Sequence, residues 1–104
     1  MVTQQAAIET AQNFIREAKA NGTDFKKVIL YGSYARNMQH EYSDIDLALV
    51  ADNFTGVGFE DIPLFTKALR NYFIIQPKTF STKDFNEGDA FVDEIKKTGI
   101  EIKF

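Results

Sequence analysis

Two short groups of residues carry side chains that could do chemistry. Gly32-Ser33 follows an apolar run, and Asp44 and Asp46 are separated by one residue at the start of another. Carboxylates at positions i and i+2 of a strand share one face and repel each other, so a cation stabilises the pair. Oxygen ligands of this kind suit Mg²⁺, which leaves its other positions to water and substrate phosphates.

The Gly32-Ser33 pair is typical of a turn that binds an anion. Glycine lets the backbone approach a ligand closely, and the N–H groups at the start of a helical turn attract phosphate. The Ser33 hydroxyl adds a donor, and Arg36 adds a planar, charged set of donors. A glycine-serine turn or an Asp-x-Asp strand edge is, by itself, more often structural. At matching ends of two adjacent strands, the two groups together predict phosphoryl or nucleotidyl transfer.

The elements that position these residues alternate between helices and strands. Apolar spacing predicts an amphipathic helix over Thr3–Ala20, capped by Thr3 and ended by Asn21-Gly22. A strand is predicted at residues 25–31, central in its sheet because it is apolar on both faces. A short helical turn at 33–38 and a second strand at 45–50 follow.

The second half of the chain continues the alternation. A long helix is predicted over residues 61–73, and residues 74–80 form a strand that Pro77 restricts to an edge or a bulge. Ser81 begins a capping box, and a third helix at 89–98 turns Phe91, Val92 and Ile95 inward. Residues 100–104 form the last strand. This order predicts an α/β (α+β) fold, a mixed sheet of about four strands covered by helices.

Length and composition narrow the function classes. The 104 residues predict a single domain over 1–104, and the absence of cysteine excludes a disulfide scaffold or a thiolate zinc site. The one histidine, His40, is expected to be a solvated surface residue. A net charge of −3 argues against general nucleic-acid binding. With no membrane-length apolar run and no signal peptide, we expect a cytoplasmic protein without membrane contact.

The segment GSYARNMQHEYSDIDLALV, residues 32–50, resembles the minimal nucleotidyltransferases (MNT) of the DNA polymerase β superfamily. The likeness extends weakly over the rest of the chain, including EIKKTGIEIKF. It implies a polymerase β-like nucleotidyltransferase fold in which Gly32 and Ser33 hold a nucleoside triphosphate. It further implies that Asp44 and Asp46 hold two Mg²⁺ ions, and that Arg36 contacts phosphate or supports the turn.

The resemblance also implies an activity and a partner. Members transfer a nucleoside monophosphate, here expected to be AMP from ATP, to a hydroxyl group and release pyrophosphate. Their gene neighbour is commonly a HEPN-domain toxin, which the MNT protein blocks or AMPylates as its antitoxin. A chain of 104 residues is too short for a separate acceptor-binding domain. The acceptor is therefore expected on a partner macromolecule or at an interface within a homo- or hetero-oligomer.

Two departures from the family pattern affect the expected site. Asn37 stands where the family usually has glycine, and asparagine also adopts the left-handed conformation, so the turn is expected to survive. The family's general base comes from a later strand. Here that strand is 74–80, which offers Gln76 and Lys78 but no acid.

The missing acid leaves three alternatives open. Two metal ions could activate the nucleophile with Asp44 and Asp46 alone, or the base could come from elsewhere, such as Asp84. In the third alternative catalysis is weak or absent, and the chain neutralises a HEPN-type partner by binding it. The sequence names neither the nucleotide nor the acceptor.

Aromatic residues are expected to build the core rather than a base-stacking platform. Tyr34 is expected to cover the Gly32-Ser33 turn. The phenylalanines expected in the core and at interfaces are Phe14, Phe25, Phe65, Phe73, Phe80, Phe85 and Phe91.

Overall fold

The computed structural model describes residues 3–104, so the first two residues of the predicted domain lie outside it. Its helices are α1 (Gln4–Ala20), α2 (Gly58–Asp61), α3 (Thr66–Leu69), α4 (Thr82–Glu87) and α5 (Ala90–Thr98), with a 3-10 turn at Ile62–Leu64. Its strands are β1 (Lys27–Tyr31), β2 (Ile45–Ala51), β3 (Ile75–Ser81) and β4 (Ile100–Glu101). No helix within the described range is long and apolar enough to cross a bilayer.

The four strands form one mixed sheet in the order β3-β2-β1-β4. Strand β1 is antiparallel to both β2 and β4, whereas β2 and β3 are parallel. The predicted mixed sheet of four strands with helices is confirmed, as are the central position of β1 and the edge position of β3. The β2–β3 register runs unbroken from Ile45↔Ile75 to Ala51↔Ser81, so Pro77 produces no bulge.

Helices cover both faces of the sheet. On one face α1 and α3 enclose the larger core, in which the ring centroids of Phe14, Phe25 and Phe65 lie 6.0 Å from one another. Helix α1 begins as predicted, because the Thr3 hydroxyl accepts the Ala6 N–H at 2.9 Å. On the other face α4 and α5 enclose a smaller core of Ile29, Ala48, Val50, Phe85, Val92 and Ile95.

Both C-terminal helices begin at a side-chain cap, and the cap at Ser81 was predicted. Ser81 Oγ accepts the Asp84 N–H at 3.0 Å at the start of α4, and Asp89 Oδ1 accepts the Val92 N–H at 2.8 Å at the start of α5. Gly99 follows α5, and its position requires glycine because of space rather than backbone conformation. A Cβ there would lie 2.5 Å from Ile29 Cγ2, while its φ of −80° suits any residue.

The prediction of one helix over residues 61–73 is wrong. The segment contains the end of α2, the 3-10 turn and α3, and Phe65 leaves the helical conformation with φ −133° and ψ 18°. Pro63 lies in the 3-10 turn rather than in the first turn of a long helix. As a result Phe73 falls beyond α3, where it is 88% exposed instead of in the core.

The Asp61 carboxylate explains why the helix breaks. Asp61 is only 1% exposed and accepts the N–H groups of Thr55 and Gly56 at 2.8 Å and the Thr79 hydroxyl at 2.7 Å. These bonds fix the end of α2 against a preceding loop and against β3. The three residues that donate these hydrogen bonds lie 5 to 18 positions from Asp61 along the chain. Together their bonds to Asp61 outweigh the helical pattern of residues 61–73.

The last strand is shorter than the predicted 100–104. Strand β4 pairs with β1 over Ile100 and Glu101, and the Ile102 N–H still donates to the Val28 carbonyl at 2.8 Å. The next carbonyl, that of Lys103, instead accepts the Gln12 side-chain amide of α1 at 3.2 Å. The tail therefore leaves the sheet for α1.

Replacing Asp61 by Asn should destabilise the fold by about 2 kcal/mol at pH 7, since an amide cannot accept all of these charge-assisted bonds. Burial favours the neutral acid, but the bonds from Thr79, Thr55 and Gly56 outweigh burial and lower the pKa of Asp61. The stabilisation is therefore complete above the unfolded pKa of roughly 4, and is lost as pH falls through the lower folded pKa.

Urea unfolding of wild type and Asp61→Asn between pH 7 and pH 2 measures this difference. The difference between their free energies of unfolding should be largest at neutral pH and should decrease in acid. Asp24→Asn is the matched control, because Asp24 is exposed and its carboxylate accepts no hydrogen bond from residues 3–104. Equal stability of wild type and Asp61→Asn at pH 7 would contradict the anchoring role.

Candidate active site

The end of β1 and the start of β2 lie side by side. Tyr31 pairs with Asp46 across the antiparallel ladder, and Gly32 follows with φ +74°. A Cβ on Gly32 would lie 2.3 Å from Asp46 Oδ2, a distance that no real side chain occupies. Because glycine has no Cβ, the Asp46 carboxylate lies directly against the turn. The structure thus brings the two halves of the motif together.

Residues 33–37 form the predicted helical turn. The Arg36 N–H donates to the Gly32 carbonyl at 3.2 Å, and the Met38 N–H donates to the Ser33 carbonyl at 2.8 Å. Asn37 closes the turn with φ 55°, the left-handed conformation that was expected of it in place of glycine. The turn therefore survives this departure from the family pattern.

The turn is fixed to the core from below. Tyr34 is 3% exposed and packs in the larger core, so it covers the turn as predicted and does not present a stacking surface. The side-chain amide of Gln4 donates to the Tyr34 carbonyl at 2.9 Å and to the Ala35 carbonyl at 3.3 Å. Helix α1 therefore holds the turn in place.

The outer side of the turn offers unused donors. Within residues 3–104, the N–H groups of Ser33, Tyr34 and Ala35 have no acceptor, and the Ser33 hydroxyl has no hydrogen-bond partner. Arg36 is exposed and makes no ion pair in the same range. Free N–H groups of this kind beside a guanidinium form an anion-binding concavity.

The acid pair, Asp44 and Asp46, forms no salt bridge within residues 3–104. Burial, together with the charge of Asp44, raises the pKa of Asp46, and burial and the charge of Asp46 raise the pKa of Tyr31. Neither Asp44 nor Asp46 accepts a hydrogen bond from the described residues. Two unsatisfied carboxylates beside an anion-binding turn fit one divalent cation that is also bound to phosphate.

A third acid is missing at the expected place. The parallel register sets Gln76 beside Asp46 and Lys78 beside Ala48. No group of three His, Cys, Asp or Glu side chains in the described part of the chain could hold a metal. Asp44 and Asp46 are therefore the carboxylates that this part of the site offers to a metal ion.

Asp84 does not fill the gap. A Cβ on Gly56 would lie 3.9 Å from Asp84 Oδ2 and 4.0 Å from the Thr79 carbonyl, so the Asp84 carboxylate lies near Thr79. Thr79 pairs with Leu49, three residues along β2 from Asp46, which at about 3.3 Å per residue is roughly 10 Å from the acid pair. That distance is too long for a base that must reach a hydroxyl held at the acid pair. His40 is also outside the site, in an exposed loop where its Nδ1 accepts the Tyr42 N–H at 3.2 Å.

Helix α5 adds residues to the site that the sequence did not predict. Val92 and Ile95 are buried as expected, but Phe91 is 44% exposed and is not a core residue. It lines a cavity of about 240 Å³ beside the motif, whose other walls are Tyr31, Gly32, Arg36, Glu94, Ile95 and Thr98. Phe91 lies at the boundary of the apolar face of α5, so periodicity alone did not decide its exposure.

The chain is similar to known proteins in both sequence and fold. The model of the family described as "Polymerase beta, Nucleotidyltransferase" matches residues 12–103. The "Putative protein adenylyltransferase MJ1305" of Methanocaldococcus jannaschii is 46% identical over 41 residues, which are 38% of this chain. The alignment spans only 28% of that relative's length.

Three solved structures share the fold. A crystal structure described as a "putative nucleotidyltransferase" from Sulfolobus solfataricus has a TM-score of 0.68 at 16% identity, covering 94% of this chain and 80% of that one. A toxin-antitoxin crystallised with AMP-PNP has a TM-score of 0.60 at 20% identity, and a mutant of the toxin-antitoxin MntA-HpeT has 0.59 at 18%. Each of these two alignments covers 88% of this chain and 71% of the other.

The family model spans nearly the whole chain, from the middle of α1 to the segment after β4, and so includes both halves of the motif and the strand that holds Gln76. The four-stranded mixed sheet is the fold of the solved nucleotidyltransferase. This chain belongs to the polymerase beta nucleotidyltransferase family.

Proposed function

We propose that the chain binds a nucleoside triphosphate with Mg²⁺ and transfers its NMP, AMP from ATP, to a hydroxyl group of a partner macromolecule. The partner in this proposal is a HEPN-domain toxin, which the chain neutralises as an antitoxin. The observation that carries the proposal is the contact between the Gly32 turn and the Asp46 carboxylate. It sets an anion-binding turn directly beside an acid pair.

Three similar proteins support the choice of reaction and partner. One is named a protein adenylyltransferase, and two of the similar folds are toxin-antitoxin proteins, one of them crystallised with AMP-PNP. A protein acceptor also agrees with the small size of the domain. The cavity beside the motif is about 240 Å³, too small for a nucleotide together with a large acceptor.

Each group at the site has a part in the proposed transfer. The N–H groups of the 33–35 turn, the Ser33 hydroxyl and Arg36 bind and orient the triphosphate. Asp44 and Asp46 hold Mg²⁺, which would neutralise phosphate charge and polarise the α-phosphoryl group. The acceptor oxygen then bonds to the α-phosphorus, the bond to the β-phosphate oxygen breaks, and pyrophosphate leaves.

The proton of the acceptor hydroxyl has no base among the residues beside Asp46. Gln76 is neutral, and the ammonium group of Lys78 lies 5.9 Å from the centre of the Phe91 ring. This observation favours a second candidate function, a catalytically weak or inactive module that binds nucleotide and neutralises a HEPN-type ribonuclease by occlusion. The two candidates share the nucleotide site and differ in whether a covalent product forms.

Incubation of the chain with ATP labelled at the α-phosphate, Mg²⁺ and the HEPN-domain partner separates the candidates. Transfer predicts label on the partner that is lost with the Asp44→Asn/Asp46→Asn double variant. Occlusion predicts no label, and inhibition of the ribonuclease that persists in the double variant. If the partner is neither labelled nor inhibited, the antitoxin role is contradicted.

Gln76→Glu should raise the rate of label transfer several-fold with little change in ATP affinity, because it adds a proton acceptor beside Asp46. Asn53→Asp, in the exposed turn after the far end of β2, makes the same change of charge away from the site and should have no effect. Lys78→Asp places its acid two residues further along β3, opposite Ala48, and should gain less. A wild type that is fast and unaffected by Gln76→Glu would mean that another segment or the partner supplies the base.

Gly32→Ala should abolish the rise in melting temperature caused by Mg²⁺ and ATP, because the new Cβ must displace the Asp46 carboxylate. The left-handed backbone should also cost about 1–2 kcal/mol of stability. Gly22→Ala is the matched control, since Gly22 has φ +98° but nothing within 4 Å of a Cβ. It should lose similar stability and keep the full response to Mg²⁺ and ATP. Equal ligand responses in both variants would contradict the role of the close contact.

Asp46→Asn should raise the melting temperature of the ligand-free protein by a few degrees at pH 7, and should remove its response to Mg²⁺ and ATP. The folded pKa of Asp46 is raised, so its charge destabilises the fold above that pKa. The gain from the amide should therefore disappear below the unfolded pKa of roughly 4. Thermal melts at pH 7 and pH 3 test this, with Asp24→Asn as the control. A lower melting temperature at pH 7 would show that the Asp46 charge supports the fold.

A further inference from the structure

Phe91 combines exposure with a fixed position, which is unusual for a large aromatic side chain. It is 44% exposed, yet its ring meets Tyr31 edge to face at 5.8 Å and 86°. The Phe80 ring lies 6.5 Å away, and the Lys78 ammonium lies 5.9 Å from the Phe91 centroid. A ring held on several sides but open to solvent is preorganised to receive another flat group.

Phe91 lies beside the proposed phosphate-binding turn. It lines the cavity of about 240 Å³ that also has Gly32 and Arg36 in its walls. It also lines a second cavity, of about 380 Å³. A group attached to phosphates on the turn would therefore enter the first cavity next to Phe91.

The size and chemistry of this cavity suit one part of a nucleotide. Its volume is below the roughly 300–1,000 Å³ of cavities that take a whole drug-sized ligand. Arg36 adds a planar cation that stacks on ring systems. The Glu94 carboxylate is an acceptor for amino groups, and the Thr98 hydroxyl, which donates to the Glu94 carbonyl at 2.9 Å, retains its own lone pairs.

We propose that Phe91 is the nucleobase-stacking residue of this chain, and that the cavity between the Gly32 turn and α5 is the subsite for the base. The inference rests on the proposed nucleotide function and adds to it the residue that distinguishes a nucleotide from inorganic polyphosphate. Stacking on one aromatic side chain contributes enough to change the affinity for a base by about tenfold.

The test compares two probes by titration calorimetry in the presence of Mg²⁺, namely ATP and inorganic tripolyphosphate, which has no base. Wild type should bind ATP more tightly than tripolyphosphate. Phe91→Leu should weaken ATP binding about tenfold and leave tripolyphosphate binding unchanged. Phe91→Tyr keeps the ring and should keep the ATP affinity. Phe59→Leu removes a ring that is 81% exposed elsewhere and is the matched control.

A measurement on wild type alone covers the case in which Phe91→Leu does not fold. Ring-proton resonances of Phe91 should shift on addition of ATP with Mg²⁺, and should not shift with tripolyphosphate. An unchanged ATP affinity in Phe91→Leu, or equal losses for both probes, would overturn the stacking role while leaving the nucleotide site intact. Wild type that binds neither probe would overturn the proposed function itself.

Discussion

The site depends on the close approach of the Gly32 turn to the Asp46 carboxylate. This approach requires three conditions at once: no side chain at Gly32, a left-handed backbone there, and Tyr31 directly opposite Asp46 in the ladder. The antiparallel register supplies the last condition, and the register is held because both faces of β1 and β2 are buried. The two hydrophobic cores therefore support the site as well as the fold. A slip of one residue would turn the carboxylate into the larger core.

Much of this arrangement was predictable because its signals are local. The caps at Thr3, Ser81 and Asp89 involve hydrogen bonds to residues three positions away, so the sequence alone contains both partners. The strand pattern of residues 25–31 and 45–50 is equally local. Predicting which residue lies beside Asp46 was harder, since Gln76 and Lys78 share one face of β3. Only the β2–β3 register, a property of two segments far apart in sequence, selects Gln76.

The predictions that proved wrong depend on contacts between residues far apart in the sequence. Residues 61–73 carry a helical pattern, but the Asp61 carboxylate binds the 55–56 loop and Thr79 on a separate strand. Those donors are visible only once the chain is folded. Phe91 lies at the edge of the apolar face of α5. The burial of a residue at such an edge depends on which other element packs against it. In both cases a long-range contact, or its absence, outweighs a local pattern.

Pro77 has a consequence for how this molecule meets other copies of itself. Strand β3 ends the sheet, so the backbone groups on its outer side could receive a strand from another molecule. The ladder with β2 continues through Pro77, which means that the missing N–H faces outward rather than toward β2. Exposed polar side chains at Gln76 and Lys78 flank this gap. A strand added at this edge would lose a hydrogen bond at its centre, which disfavours edge-to-edge aggregation.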